Sequence, residues 1–388
     1  MQENMTVISA NMFSKAVEEN MSVEKAVRML RECSQLRSLS EKLGSFAKGR
    51  DLRKVLTEGL MKNHPEAKME AIDRKVRNWL ANRQSSIAKS DAIELCFVLG
   101  LDMDESESLL AMISEEGFHW RDPDEIPYIF ALMHGMSYSE AKALQDKISE
   151  TATVKGSAEA NDCFTETVRV QIEAIETVDE LVEYVAETRA KLGKLHNRAY
   201  SLFCDMLERL ESPELEESVV ENNPYDEGDS DVKYTAGNIV EIYLHGDDLP
   251  ETVTGKNAEA LSAVQRNIAR NWPGESVISR MKNRRVDVSR KVMILLFLAT
   301  YDAYGEEDDE FGLYDDEKTP DEIFREFYEN MNAMLKTCGF SKLDPRSAFD
   351  WMTIYCMCQE DIFTVDSTLS EFLKTLFADS DFGNEMQN

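Results

Sequence analysis

Two short landmarks occur twice along the chain and in the same order. An Asn-Arg pair precedes an apolar run, and further on a Gly-Phe pair precedes Asp-Pro. The copies are Asn82-Arg83 and Asn283-Arg284 for the first landmark, and Gly117-Phe118 and Gly339-Phe340 for the second. The interval between the landmarks is longer in the second copy, where an acidic stretch at 303–320 is the expected insertion. Repeated landmarks with matching helix signals predict an internal duplication, and therefore two related modules.

Residues that typically begin or end helices surround both landmarks. Capping pairs stand at Asp102 with Glu105, Ser137 with Glu140 and Thr319 with Glu322, and Gly100 and Gly135 end apolar runs. Asp122-Pro123 and Asp344-Pro345 are expected to begin helices in the two copies, and the last helix is expected to follow Thr368. Only 239–244 resembles a strand, and that stretch is equally compatible with a helix. The chain is therefore predicted to be all-α and multi-helical.

The order of these signals predicts the domain organisation. Two related helical modules would be joined by a helical middle region that ends in an acidic linker at 213–231. The expected segments are an N-terminal helical hairpin at 1–50, a first module at 51–150, a middle region with the linker at 151–231, and a second, diverged module at 232–388 that carries the acidic insert 303–320.

The net charge of −31 restricts the choice of partners. A field of this sign repels polyanions at long range, but salt screens it, so a local basic patch can still act. The seven scattered cysteines indicate a reduced protein, and the first residues resemble no secretion signal. The longest apolar run, at 292–301, is too short to span a membrane. We therefore expect a cytoplasmic protein that is not bound to a membrane.

Two basic stretches interrupt this acidic chain. Each follows or overlaps a predicted helix that ends at an Asn-Arg landmark, and clustered Lys and Arg side chains are typical of phosphate contacts. The residues expected to bind a nucleic acid or another partner are Arg74, Lys75, Arg77, Asn78, Arg83 and Lys89 in the first copy, and Arg280, Lys282, Arg284, Arg285, Arg290 and Lys291 in the second. The alternative is that each stretch pairs with an acidic surface of the chain itself, such as Glu306–Glu310.

Other motifs fail at decisive positions. The stretch 307–318 has calcium-loop spacing, but Phe311 and Lys318 replace required ligands. Cys356 and Cys358 lack the spacing of a zinc site, and the histidines lie in no metal-ligand pattern. There is no P-loop, dinucleotide fingerprint or serine elbow. We expect no cofactor, no bound metal and no enzymatic activity.

Residues 51–149 resemble the lambda-repressor-like (Xre-type) helix-turn-helix regulators of Gram-positive bacteria. The run 76–83, the apolar helix that ends before Leu101 and the acidic start at Asp104-Glu105 carry this resemblance. It implies that Arg74, Lys75 and Asn78 lie on a base-facing helix. The implied counterparts in the second copy are Ser276, Ser279 and Arg280. There the short span Ala269–Glu275, broken by Pro273-Gly274, leaves little room for the supporting helix.

These observations favour a non-enzymatic regulatory or adaptor protein that binds a macromolecule, either DNA or a protein, through helix-turn-helix-like modules. An acidic protein that mimics nucleic acid and binds a basic partner is the alternative. The pattern leaves the identity of the partner and the oligomeric state open.

Overall fold

The fold is known from a computed structural model, which describes most of the chain. The described residues are 6–18, 21–33, 36, 38–81, 87–114, 117–150, 165–189, 192–193, 195–211, 234–249, 261–301, 319–358 and 365–378. Within these ranges all regular secondary structure is helical, which confirms the predicted all-α class. The stretch that resembled a strand forms a helix over Ala236–Ile242.

The chain divides into two compact units. The central unit comprises Arg37–Leu195 with Gly339–Ser341, and the terminal unit comprises Met1–Leu36, His196–Cys338 and Lys342–Asn388. These limits differ from the predicted segments. The segment 1–50, expected to be a helical hairpin, contains three helices, of which the first two belong to the terminal unit and the third to the central unit. Short-range patterns located the helices, but they could not show which distant helices pack together.

The central unit is built on a continuous apolar core. Amphipathic helices supply this core, as in α5, where Ile72, Val76 and Trp79 are buried at helical spacing. Helix α4 packs on α5 and α6, α6 packs on α7 and α9, and α8 packs on α7, α9 and α10. The helices of this unit are α3 (Leu39–Phe46), α4 (Leu52–Asn63), α5 (Met69–Leu80), α6 (Lys89–Leu99), α7 (Met103–Ser114), α8 (Ile126–Met133), α9 (Tyr138–Glu150), α10 (Thr165–Glu173) and α11 (Val178–Thr188).

The terminal unit has its own core, in which large side chains such as Phe203, Trp351 and Phe372 are fully buried. Helix α12 packs on α13, α15 and α16, and α1 and α2 pack on α18 and α19. The helices of this unit are α1 (Val7–Ala16), α2 (Val23–Glu32), α12 (Asn197–Glu211), α13 (Ala236–Ile242), α14 (Ala263–Ala269), α15 (Glu275–Lys282), α16 (Arg290–Thr300), α17 (Pro320–Thr337), α18 (Ala348–Met357) and α19 (Val365–Phe377).

Most of the predicted helix boundaries are confirmed. Asp102 and Glu105 cap α7 reciprocally, Glu140 accepts the Ser137 N–H before α9, and Thr319 forms a capping box with Glu322 at α17. Gly100 and Gly135 follow α6 and α8 in the left-handed conformation that terminates a helix, with φ of 65° and 64°.

Three predicted helix starts are wrong. Asp122 and Asp344 do not cap helices directly, because each carboxylate accepts the backbone N–H two residues ahead and forms a separate turn. The helices begin later, at Ile126 and Ala348. The two copies deviate from the prediction in the same manner. The last helix begins at Val365, before Thr368.

The helix order around the Asn-Arg landmarks is the same in both units. Helices α4 to α9 correspond in sequence order to α14 to α19, and four pairs that pack in the first series, α6 with α7, α8 with α9, α6 with α9 and α7 with α8, have packing counterparts in the second. The packing of α4 on α5 and on α6 has no counterpart of similar extent. The longer interval of the second copy separates α16 from α17. This correspondence supports the hypothesis of duplication.

Several predictions concern residues outside the described ranges. They are the acidic linker 213–231, the acidic insert 303–320 apart from Thr319 and Pro320, the calcium-like stretch 307–318, and Arg83.

Candidate macromolecule-binding surfaces

Helices α4 and α5 form the helix pair that the sequence resemblance located in the first copy. Asp51 caps α4 by accepting the Lys54 N–H, and residues 64–68 connect the two helices. With Val76 and Trp79 buried, the opposite face of α5 exposes Arg74, Arg77 and Asn78. These three side chains lie on the outward face of the second helix, which is the position that such pairs use to contact a partner.

Carboxylates of the central unit neutralise much of this face. Arg53 donates to both carboxylate oxygens of Asp73, at 2.6 and 2.8 Å, and Arg77 lies 3.2 Å from the same carboxylate. Lys75 donates to Asp91 at 2.7 Å and lies over the ring of Trp79. Among the described residues Arg74 forms no ion pair. The α5 face therefore has one uncompensated cation among its predicted binding residues.

Lys89, the first residue of α6, has a structural partner. Its ammonium nitrogen lies 2.8 Å from Glu125, whose carboxylate also accepts the His119 N–H at 2.7 Å. Lys89, which was predicted to bind a nucleic acid or another partner, is therefore engaged in an ion pair within the central unit. The ion pair ties the start of α6 to the segment that precedes α8.

The second copy has a short helix before α15. A capping box between Ser262 and Gln265 begins α14, and residues 270–274 connect it to α15. A helix is therefore present where the sequence suggested little room for one, but it packs mainly on α18 and does not support α15 as α4 supports α5. The connection has the same length as 64–68 in the first copy.

Lys291 explains how so short a helix as α14 is held. Its ammonium group, only 1% exposed, donates to the carbonyls of Ile268 at 2.8 Å and Arg270 at the C-terminal end of α14. The same nitrogen lies 4.6 Å from the ring centre of Phe349. A cation at this position satisfies carbonyls that lack an intrahelical partner and interacts favourably with the helix dipole.

Arg290 is also buried, at 4% exposure. It donates to both oxygens of Asp350 at 2.8 Å and to the Lys342 carbonyl at 3.1 Å. The prediction that Arg290 and Lys291 contact an external partner is therefore wrong. Both residues lie in the first turn of a helix that is buried on nearly all sides, and the apolar run after them was the signal for that burial.

The remaining basic residues around α15 are accessible. Arg270, Arg280 and Arg285 are exposed, and none of them forms an ion pair with a described residue. Ser276 and Arg280 on α15 and Asn283 directly after it lie on one exposed stripe, opposite the buried Ile278 and Met281. Ser279, the other residue implied by the resemblance, is half-buried. Arg270 was not predicted from the sequence.

Helix α12 supports the turn that follows α15. Tyr200 donates to the Lys282 carbonyl at 2.8 Å, Arg284 donates to the Asn197 side-chain oxygen at 2.6 Å, and the Arg284 guanidinium lies 4.2 Å from the ring centre of Tyr200. The Lys282 ammonium pairs with Glu211 at the end of α12. The sequence contained no signal for these contacts, because they join residues far apart in the chain.

Asp287 fixes the other side of this turn. Its carboxylate accepts the backbone N–H groups of His196 and Val288, both at 3.0 Å, and lies 2.6 Å from His196 Nδ1. Partial burial alone would raise the pKa of Asp287, but the hydrogen bonds from His196 hold that pKa below its ordinary value. The acid nearest to Arg284 and Arg285 in the sequence is therefore already engaged.

The comparisons with known proteins identify no relative. No family model, curated protein or solved structure matches the chain. In the described parts, no helix has both the length and the apolar character required to cross a membrane.

Proposed function

We propose that the chain is a non-enzymatic, cytoplasmic regulatory protein that binds duplex nucleic acid through helix α15 and the turns on either side of it. The observation that carries this proposal is the set of exposed and unpaired arginines around α15, in a chain that is otherwise strongly acidic. Contacts to phosphates supply much of the affinity of such proteins, and arginine is well suited to them.

The stripe on α15 adds hydrogen-bonding side chains to this charge. Serine, arginine and asparagine are residue types that contact base edges in the major groove. Ser276 and Arg280 project from α15, and Asn283 follows its last residue, with its amide nitrogen donating to the Ser279 carbonyl and its side-chain oxygen left as an acceptor. The aromatic groups nearby are engaged, since Trp272 donates to the Leu244 carbonyl and Tyr200 to the Lys282 carbonyl. Because these rings are held by such contacts, the surface favours a duplex over unstacked single-stranded bases.

The α5 face supports a different role. Its cations are mostly paired within the central unit, and its first turn exposes Met69 and the acidic Glu70. We therefore assign the phosphate contacts to the second copy, and contact with a protein partner to the first. The sequence resemblance implied base-facing residues on α5, and this assignment moves the contacts with nucleic acid to α15.

Fluorescence anisotropy with a labelled duplex of about 20 bp tests the proposal. Arg270→Ala, Arg280→Ala and Arg285→Ala, combined in one variant, should weaken binding and reduce the slope of log affinity against log salt by about three, measured between about 50 and 200 mM salt. The matched control combines Arg28→Ala, Arg325→Ala and Lys336→Ala, which removes the same charge from exposed positions on α2 and α17.

The control variant should bind nearly as well as the unmodified protein. Equal weakening by the two variants would show that binding depends on net charge and not on α15. Absence of binding by the unmodified protein at about 50 mM salt would overturn the proposal altogether.

A further inference from the structure

Arg284 occupies a backbone conformation that arginine rarely adopts. Its φ is +54°, in the left-handed region, at the position after α15 where a glycine usually ends a helix. The backbone bonds are those of such an ending, since Arg284 N–H donates to the Met281 carbonyl at 2.9 Å and Arg285 N–H to the Arg280 carbonyl at 2.8 Å. A strained residue that is held in place by its surroundings is a common feature of functional sites.

The partners of the Arg284 side chain are electrically neutral. They are the amide oxygen of Asn197 and the ring of Tyr200, whereas the neighbouring Lys282 is neutralised by Glu211. Asp287, the acid closest in sequence, is bound by His196 and Val288. The guanidinium is therefore held in position while its positive charge remains uncompensated by any described carboxylate.

This arrangement also leaves hydrogen-bonding capacity. A guanidinium has several N–H donors in one plane, and Asn197 accepts from one nitrogen, Nη2. Stacking on Tyr200 occupies a face of the group and not its edge. The edge can therefore donate to the oxygens of an anion, and phosphate suits the planar geometry of arginine.

We infer that Arg284 is a preorganised anchor for a backbone phosphate of the bound duplex, and that Tyr200 and Asn197 are its positioning residues. The inference rests on the proposed function and adds to it a specific contact and the helix that orders this contact. Ordering the side chain before binding reduces the entropy lost in the complex. Helix α12, which lies outside α15 and its flanking turns, thus contributes to binding without touching the ligand.

A double-mutant cycle with the same labelled duplex tests this role. Arg284→Ala should weaken binding and lower the salt slope by about one, because one phosphate contact is lost. Tyr200→Leu should weaken binding about threefold to tenfold with little change of slope, because the charge remains but is no longer held. Asn197→Ala should act in the same direction, and Tyr200→Phe, which keeps the ring, should retain most of the affinity.

The combined variant Tyr200→Leu with Arg284→Ala shows whether Tyr200 acts on binding through Arg284. It should bind no more weakly than Arg284→Ala alone, because Tyr200 acts through Arg284. Tyr234→Leu is the matched control, since this half-buried tyrosine packs against Tyr243 and not against Arg284. It should leave both the affinity and the salt slope unchanged.

The outcomes separate the two proposals. If the unmodified protein binds the duplex but the effects of Tyr200→Leu and Arg284→Ala add, Tyr200 has a general structural role and the inference fails, while the proposed function stands. If Arg284→Ala leaves the affinity and slope unchanged in a protein that binds, the anchor itself is overturned. If the unmodified protein does not bind, the proposed function fails first.

Discussion

At the scale of single residues, the left-handed conformation of Arg284 leads to a prediction about stability. Arg284→Gly and Arg284→Ala both remove the contacts with Tyr200 and Asn197, but only alanine retains the steric cost of positive φ. The glycine variant should therefore have a free energy of unfolding about 1 kcal/mol higher than the alanine variant, measured by urea denaturation. Both variants should bind the duplex equally weakly.

An alanine variant as stable as the glycine variant would contradict this prediction, since it would show that the turn relaxes readily without its arginine. The comparison uses two variants at one position, so the lost guanidinium contacts cancel. What remains is the difference in backbone conformational free energy between glycine and alanine at this position, in the folded and in the unfolded chain.

Single residues also show where sequence reasoning stops. Counting basic residues placed Arg290 and Lys291 with Arg280 and Arg285, although the first two are buried and the last two are exposed. Charge alone does not indicate burial. The apolar helix that begins at Arg290 was the available evidence, because a helix buried on nearly all sides also buries its first turn.

At the scale of elements, the landmark Gly117 is explained by a close approach of helix α7. A Cβ atom at this position would lie 1.7 Å from Oε2 of Glu107. That carboxylate accepts the Phe118 N–H at 2.9 Å and the Trp120 indole N–H at 3.1 Å, and burial raises its pKa above the ordinary value in spite of these bonds. The glycine allows the loop to reach this half-buried acceptor.

Gly117→Ala should therefore lower the free energy of unfolding by about 1–3 kcal/mol, because the added methyl group displaces Glu107 from its donors. Thermal or urea denaturation measures the change. Gly44→Ala in α3 is the control, since no atom lies within 4 Å of the position of its added Cβ, and alanine favours the helix. A loss of stability in the control as large as that of Gly117→Ala would remove the steric explanation.

The helices themselves were largely predictable, because capping pairs and apolar spacing are local. The failures came from contacts that join distant segments. Helix α14 was considered lost because the span Ala269–Glu275 is short and contains Pro273-Gly274, whereas the helix lies before that span and is held by Lys291 from another helix. The starts at Asp122 and Asp344 were placed too early because an acid that forms its own turn resembles a helix cap in sequence. The support of Arg284 by α12 could not be foreseen for the same reason.

At the scale of the whole molecule, the net charge of −31 and the exposed arginines of α15 act over different distances. The electrostatic screening length is about 30 Å at 10 mM salt and about 10 Å at 0.1 M. At the lower salt concentration the whole chain repels a polyanion, whereas at the higher one the arginines act mainly alone. The affinity and the rate of association should therefore depend differently on salt.

We expect the association rate constant with a DNA duplex to rise between about 10 mM and 0.1 M salt, although the affinity falls over the higher part of the range. Stopped-flow anisotropy measures this rate constant. A protein with a basic total charge provides the reference, since its association rate falls steadily as salt is added. A steady fall for this chain would show that the local arginines govern association even at long range.

The burial of Lys291 has a consequence for chemical labelling. Amine-reactive reagents modify accessible lysines such as Lys282 in the folded protein, but the Lys291 amine is enclosed under the end of α14 and becomes reactive only when that helix detaches. The acylation rate of Lys291 therefore measures how often α14 opens. Mass spectrometry of the labelled peptide would therefore report how often the region beside the proposed binding surface opens when no ligand is present.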